Sequence, residues 1–192
     1  NQLISLLRSM LGKLCFFFFI LCFCSCGSPD LSDKEDVNRV LKKAELRENL
    51  QTKEIQGQKK VFHPIDQQLF EGWIVDYHES GKLLCLEHYE RGIPSGFFRR
   101  WYANGHPESE GFFRDGKEDG VWTLWFENGK KREMKVFKKG NLEGLYAWWF
   151  SNGQLRAEGN YKKDKKEGIW IYYDRSGKEK NCMIYSKGQL ID

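Results

Sequence analysis

From residue 72 onward, rings and aliphatic side chains come in short alternating runs, cut by glycines at a constant spacing. Residues 120–143 show the pattern whole: GVWTLWFENGKKREMKVFKKGNLE. An aromatic run over residues 121–126 reaches Asn128-Gly129, returns over residues 131–137 and meets a second turn at Lys139-Gly140. The opening glycine recurs every 24 residues, at Gly72, Gly96, Gly120, Gly144 and Gly168, with no insertion. The mid-unit glycine recurs in step at Gly81, Gly105, Gly129, Gly153 and Gly177, following Asn three times and Ser twice. Asn-Gly between two alternating runs predicts a two-residue type I′ hairpin, whose central residues both need positive φ. The second turn carries Gly92, Gly116, Gly140 and Gly188, with Asp164 in the fourth unit, a residue that tolerates the left-handed region.

The apolar columns repeat with the glycines. Two residues after the opening glycine stand Ile74, Phe98, Trp122, Tyr146 and Trp170; five after it stand Tyr77, Trp101, Trp125, Trp149 and Tyr173. The return run holds Tyr89, Phe113, Phe137, Tyr161 and Tyr185 at one fixed place. One hairpin alone is marginal, so neighbouring units must supply its stability. The prediction is an all-β fold: a single-layer, elongated antiparallel meander of five 24-residue hairpins, ten or eleven strands in all. A propeller needs about 40 residues per blade, which argues against that alternative. In a strand, successive side chains point to opposite faces. Val121 and Trp125 therefore share one face, and Trp122, Leu124 and Phe126 the other. Either large side chains cover both faces, or one face meets a partner. With two-residue turns, Trp125 would face Arg132 and Trp149 would face Arg156, within reach of cation–π contact.

The unit GxWxxWFxNGK, with a return strand ending Y-K-x-G, resembles the MORN-repeat variant found in many bacterial proteins. The resemblance covers residues 72–192 well and residues 59–71 more weakly. It implies a scaffold: MORN repeats are linked to protein–protein contact and phospholipid binding, and bacterial chains of this kind are often described as antitoxin-like components of toxin–antitoxin systems.

Ahead of the repeats the pattern changes. Arg8 and Lys13 precede an uninterrupted apolar stretch, residues 14–23, followed by the small residues Ser25, Gly27 and Ser28. That is the form of an export signal, and about ten apolar residues fall short of the roughly 20 a membrane-crossing helix needs. Phe23-Cys24-Ser25-Cys26 is similar to the lipobox of bacterial lipoproteins, with Cys26 at the lipidated position; Phe23 and Cys24 depart from the usual residues. Acyl chains on Cys26 would hold the protein at a membrane without a spanning helix. The expected organisation is a lipoprotein-like signal over residues 1–26, a polar linker with an amphipathic helix over 27–58, and the repeat domain over 59–192. Ser32 with Glu35 has the form of a capping box, and Val37, Val40, Leu41 and Ala44 recur at helical spacing, which predicts one helix over residues 33–50. Residues 59–65 read as a lone edge strand that pairs with the first repeat and covers its end.

Composition narrows the chemistry. Charged residues make up 30%, the net charge is +4 and acidic residues interrupt the lysine clusters, so no basic stripe argues for nucleic acid. Only Cys85 and Cys182 lie in the repeats, roughly 35–40 Å apart at about 4.8 Å per strand, too far to bridge in an open sheet. No CxxC suggests zinc, and no P-loop or GxGxxG suggests a cofactor. His63, His78, His88 and His106 fall out of register, and His78 sits in a column held by Tyr102, Phe126 and Phe150, the place of a structural substitute. Asp119, Glu143 and Glu167 precede opening glycines, where turn chemistry accounts for them. Catalytic, metal and cofactor residues are therefore not expected, and the chain reads as no enzyme. The candidate binding surface is Tyr77, Trp101, Trp125, Trp148, Trp149 and Tyr173, read either as packing or as a platform for a partner. The expected partners are a protein and, through Cys26, a membrane; the expected location is the cell envelope as an anchored lipoprotein, or outside the cell as a secreted protein.

Overall fold

The computed structural model describes residues 33–191; the export signal, Cys26 and Ser32 lie outside them. A helix α1 (Lys34–Leu41) comes first. It is followed by β1 (Glu45–Leu46), a 3-10 turn (Arg47–Asn49), β2 (Gln51–Ile55) and β3 (Gln58–Phe62). The first three units supply β4 (Gly72–Tyr77), β5 (Leu83–Glu90), β6 (Ile93–Trp101), β7 (Pro107–Arg114), the short β8 (Lys117–Glu118), β9 (Gly120–Trp125) and β10 (Lys131–Lys138). The last two supply β11 (Asn141–Trp149), β12 (Leu155–Lys162), β13 (Lys165–Tyr173), β14 (Glu179–Ser186) and the short β15 (Gln189–Leu190). The strands from β4 to β15 follow one another in sequence order through a single sheet, with β8 beside β7 and β1 added at the outer edge of β4. Every pairing is antiparallel except β1 with β4. The two ends of the path do not pair, so the meander is open.

The first turns differ from the type I′ expectation. At Asn128-Gly129, Phe126 N–H donates to Lys130 O (2.8 Å), Gly129 N–H donates to Phe126 O (2.9 Å), and Gly129 has φ +80°. Asn128 is not left-handed. This is a three-residue loop, a type I turn closed by a left-handed glycine. Its Asn instead bonds the backbone: Asn128 Oδ1 accepts from Lys130 N–H (3.1 Å), and Nδ2 reaches Ser151 O in the next unit (2.9 Å). Type I′ geometry appears at the second turns, where Lys139 (φ +54°) precedes Gly140 (φ +86°). A bulge follows each first turn, so Trp125 pairs with Lys131 and Trp149 with Leu155. The expected pairs Trp125–Arg132 and Trp149–Arg156 do not form, because Arg132 and Arg156 are the extra residues.

Both loop edges are laced from unit to unit. Asn104 Nδ2 donates to Glu127 O and Asn152 Nδ2 to Arg175 O, each at 2.8 Å. On the opposite edge Asp119, Glu143 and Glu167 accept from the backbone N–H of Lys139, Lys163 and Lys187 at 2.7–3.2 Å. The histidines join this lattice: His78 Nε2 bonds Trp101 O (2.9 Å) and His106 Nδ1 bonds Glu127 O (2.8 Å).

The N-terminal segment is built differently from the expectation. The helix ends at Leu41, because residues 45–46 pair backbone with the edge of β4, and Ala44 and Leu46 pack onto the sheet. Asp33 is its N-cap, accepting from Glu35 N–H (2.6 Å). Residues 59–65 are not a lone strand: β3 pairs with β2 in a separate hairpin. The hairpin meets the first repeat through Val61 N–H to Gly92 O (2.8 Å), and Phe70, just ahead of that repeat, donates its N–H to Val61 O (2.9 Å).

Candidate binding faces of the sheet

Trp122 and Trp170 define one face, here the spine face. Phe98 stacks on Trp122 at 5.4 Å and Phe113 meets it edge-on at 5.0 Å. Two units later Tyr146 lies 5.6 Å and Tyr161 5.2 Å from Trp170. Both indoles are buried, and each donates Nε1–H to a backbone carbonyl: Trp122 to Phe112 O (3.2 Å) and Trp170 to Asn160 O (3.1 Å). Each also lies flat on a glycine of the preceding return strand, Gly111 or Gly159. A Cβ at Gly159 would come within 2.6 Å of Trp170 Cγ and closer still to the ring-fusion carbons. Glu87 and Lys135 hold the same position opposite the smaller Phe98 and Tyr146. Sequence reading passed over Gly111 and Gly159; the signal was their coincidence, 11 residues ahead, with the two tryptophans of that column.

The opposite face carries the column Tyr77, Trp101, Trp125, Trp149 and Tyr173, so the structure brings together five of the six candidate residues. Trp148, next to Trp149 on β11, falls on the spine face, where Arg156 stacks 3.7 Å from its ring centroid. Beside the aromatic column runs an aliphatic one, with Val121, Leu145 and Ile169 exposed at 37–38%. At the first unit this column face is covered by α1: Val37, Val40 and Leu41 pack with Val75, Leu86, Phe97 and Trp101. The cover stops there.

The 3-10 turn clamps the other side of the first unit. Arg47 Nε donates to Asp76 Oδ2 (2.5 Å) and Nη2 to Glu87 Oε2 (2.9 Å), and Tyr89 Oη donates to the same Glu87 oxygen (2.8 Å). Burial, reinforced by the Glu87 charge, pushes the Tyr89 hydroxyl up to about 12. Burial likewise raises the Cys85 thiol well above its usual range, with Glu87 adding to it. For Arg47 burial acts to lower the pKa, but its bond to Tyr89 and the charges around it outweigh that and raise it. Cys85 is a free, buried thiol and Cys182 a free, exposed one. Among the described residues no group of three or more His, Cys, Asp or Glu is placed to hold a metal ion. The two faces present rings, guanidiniums and an aliphatic stripe.

No curated protein sequence matches the chain. Two adjacent stretches, residues 118–139 and 142–163, do match the family model described as MORN repeat variant, and they coincide with the third and fourth units of the sheet.

Proposed function

We propose that the protein is a protein-binding scaffold that docks its partner on the column face of units three to five. One observation carries this reading. The columns that α1 covers at the first unit continue past Trp101 as Val121, Trp125, Leu145, Trp149 and Ile169, with no segment of the described chain over them. Exposed apolar side chains in continuous columns are the usual mark of a contact surface. MORN repeats are commonly protein- or lipid-binding scaffolds, which agrees. The sequence adds export and lipid anchoring at Cys26 to the proposal, placing the repeats at the cell envelope.

The test is crosslinked capture from membranes by the full chain and by Leu145→Glu and Ile169→Glu variants. Both side chains are exposed, so the fold should survive and the partner should be lost. Undiminished capture by both variants sinks the proposal. Mass measurement of the mature N-terminus on the same sample reads the anchor: an unmodified Cys26 removes it. An antitoxin-like role rests on the resemblance alone, and a wholly membrane-bound pool would argue against neutralisation of a cytosolic toxin. Vesicle sedimentation of a chain beginning after Cys26 separates direct phospholipid binding from anchoring, since only the former pellets the protein.

A further inference from the structure

On the spine face, at the first-turn edge of the last two units, an open cleft of about 420 Å³ is lined by Phe150, Arg156, Tyr172, Arg175, Lys180 and Met183. We propose that this cleft binds an acidic segment of a protein partner, taking a glutamate or aspartate side chain between the two guanidiniums. The inference rests on the protein-binding reading but uses the opposite face of the sheet. Arg156 lies 3.7 Å from the Trp148 ring centroid and 5.3 Å from that of Phe150, and Arg175 lies 5.8 Å from Phe150. Stacking fixes the plane of Arg156 and leaves its N–H edge for a two-pronged bond to a carboxylate.

The surrounding charge supports an anionic occupant. Arg47, Arg99, Arg100, Arg114 and Lys135 are engaged in ion pairs, whereas Arg156, Arg175 and Lys180 form none among the described residues. Asp174, the acid at the cleft, is turned to its own loop, where Oδ1 accepts from Ser176 Oγ (2.6 Å), Ser176 N–H (2.8 Å) and Lys178 N–H (3.1 Å). Charge is also polarised along the chain. Residues 72–119 hold 6 Lys and Arg against 9 Asp and Glu, residues 120–191 hold 15 against 8. The positive half therefore attracts an acidic partner at a distance, and the cleft gives it a seat.

The experiment uses the full chain and a fluorescein-labelled peptide of alternating Glu and Tyr, with a Gln-Tyr peptide as its neutral counterpart, read by fluorescence anisotropy. Arg156→Gln and Arg175→Gln should each weaken Glu-Tyr binding about tenfold. Lys138→Gln and Lys162→Gln, equal charge changes outside the cleft, should stay within about twofold. Unchanged melting temperatures check the fold of each variant. Equal losses in all four variants, or equal binding of the Gln-Tyr peptide, would overturn the proposal. So would tighter binding of a single-stranded oligonucleotide or of phosphatidylglycerol vesicles. If the peptide fails while Leu145→Glu and Ile169→Glu abolish capture, the cleft is wrong and the scaffold reading stands; cleft binding with undiminished capture points the other way.

Discussion

Replacing Gly159 by alanine puts one methyl group where Trp170 lies. Alanine normally helps a strand, since removing a glycine restricts the unfolded chain and stabilises by about 0.4–1 kcal/mol. Here the added carbon would be 2.6 Å from Trp170 Cγ, against the roughly 3.5–4.0 Å at which carbons pack. The indole has nowhere to go. It is 2% exposed, tied by Nε1–H to Asn160 O, and walled by Tyr146 and Tyr161. Overpacking of this kind costs about 1–3 kcal/mol, which exceeds the entropic gain. The expected net loss is about 1–2 kcal/mol, or about 2–8 °C in Tm. Urea melts followed by far-UV circular dichroism measure it. A Trp170→Phe background supplies the decisive arm, because Glu87 faces Phe98 without a glycine. There the Gly159→Ala cost should shrink by about 1 kcal/mol or more, a coupling expected only of residues in contact. A neutral or stabilising Gly159→Ala, or the same cost in both backgrounds, would refute the packing argument.

Three further outcomes follow from the same lattice. Arg47→Ala leaves Asp76 and Glu87 unmatched beneath the 3-10 turn. It should cost about 1–2 kcal/mol, discounted for partial exposure, and hydrogen exchange should rise first in β1 and β4. At the Lys163-Asp164 turn both residues are left-handed (φ +50° and +63°), and Asp164 Oδ1 accepts from Leu142 N–H at 2.7 Å. Asp164→Gly should stay within about 0.5 kcal/mol as relief of strain offsets the lost bond, whereas Asp164→Ala loses the bond and keeps the strain, about 1–2 kcal/mol by urea melt. Cys85, Tyr89 and Tyr146 all hold their protons more tightly when folded than when unfolded. The stability they lend is complete below their ordinary values and is lost as pH rises through the raised ones. For Tyr89 that window runs from 10.0 to about 12, and Tyr89→Phe should flatten part of the alkaline limb of a Tm-against-pH curve.

The 24-residue glycine spacing and the ring columns determined the hairpins, their order and the open sheet. Each of those depends on local chemistry repeated in register, which a sequence displays directly. The identity of the turn types did not follow from Asn128-Gly129 alone. The dipeptide suits a type I′ turn in isolation, but in the stack Asn128 is drawn to Ser151 O, and only the glycine goes left-handed. That single choice moved Arg132 and Arg156 into bulges and placed Arg156 on Trp148 instead of Trp149. Likewise, Val37, Val40, Leu41 and Ala44 share a helical spacing, yet Ala44 and Leu46 lie beyond the helix. The free edge of β4 offered backbone bonds that one more helical turn could not match. Periodicity records what each residue prefers near its neighbours in sequence; tertiary structure decided the rest, because unmet backbone groups and bare apolar columns were satisfied by residues 20 or more positions away.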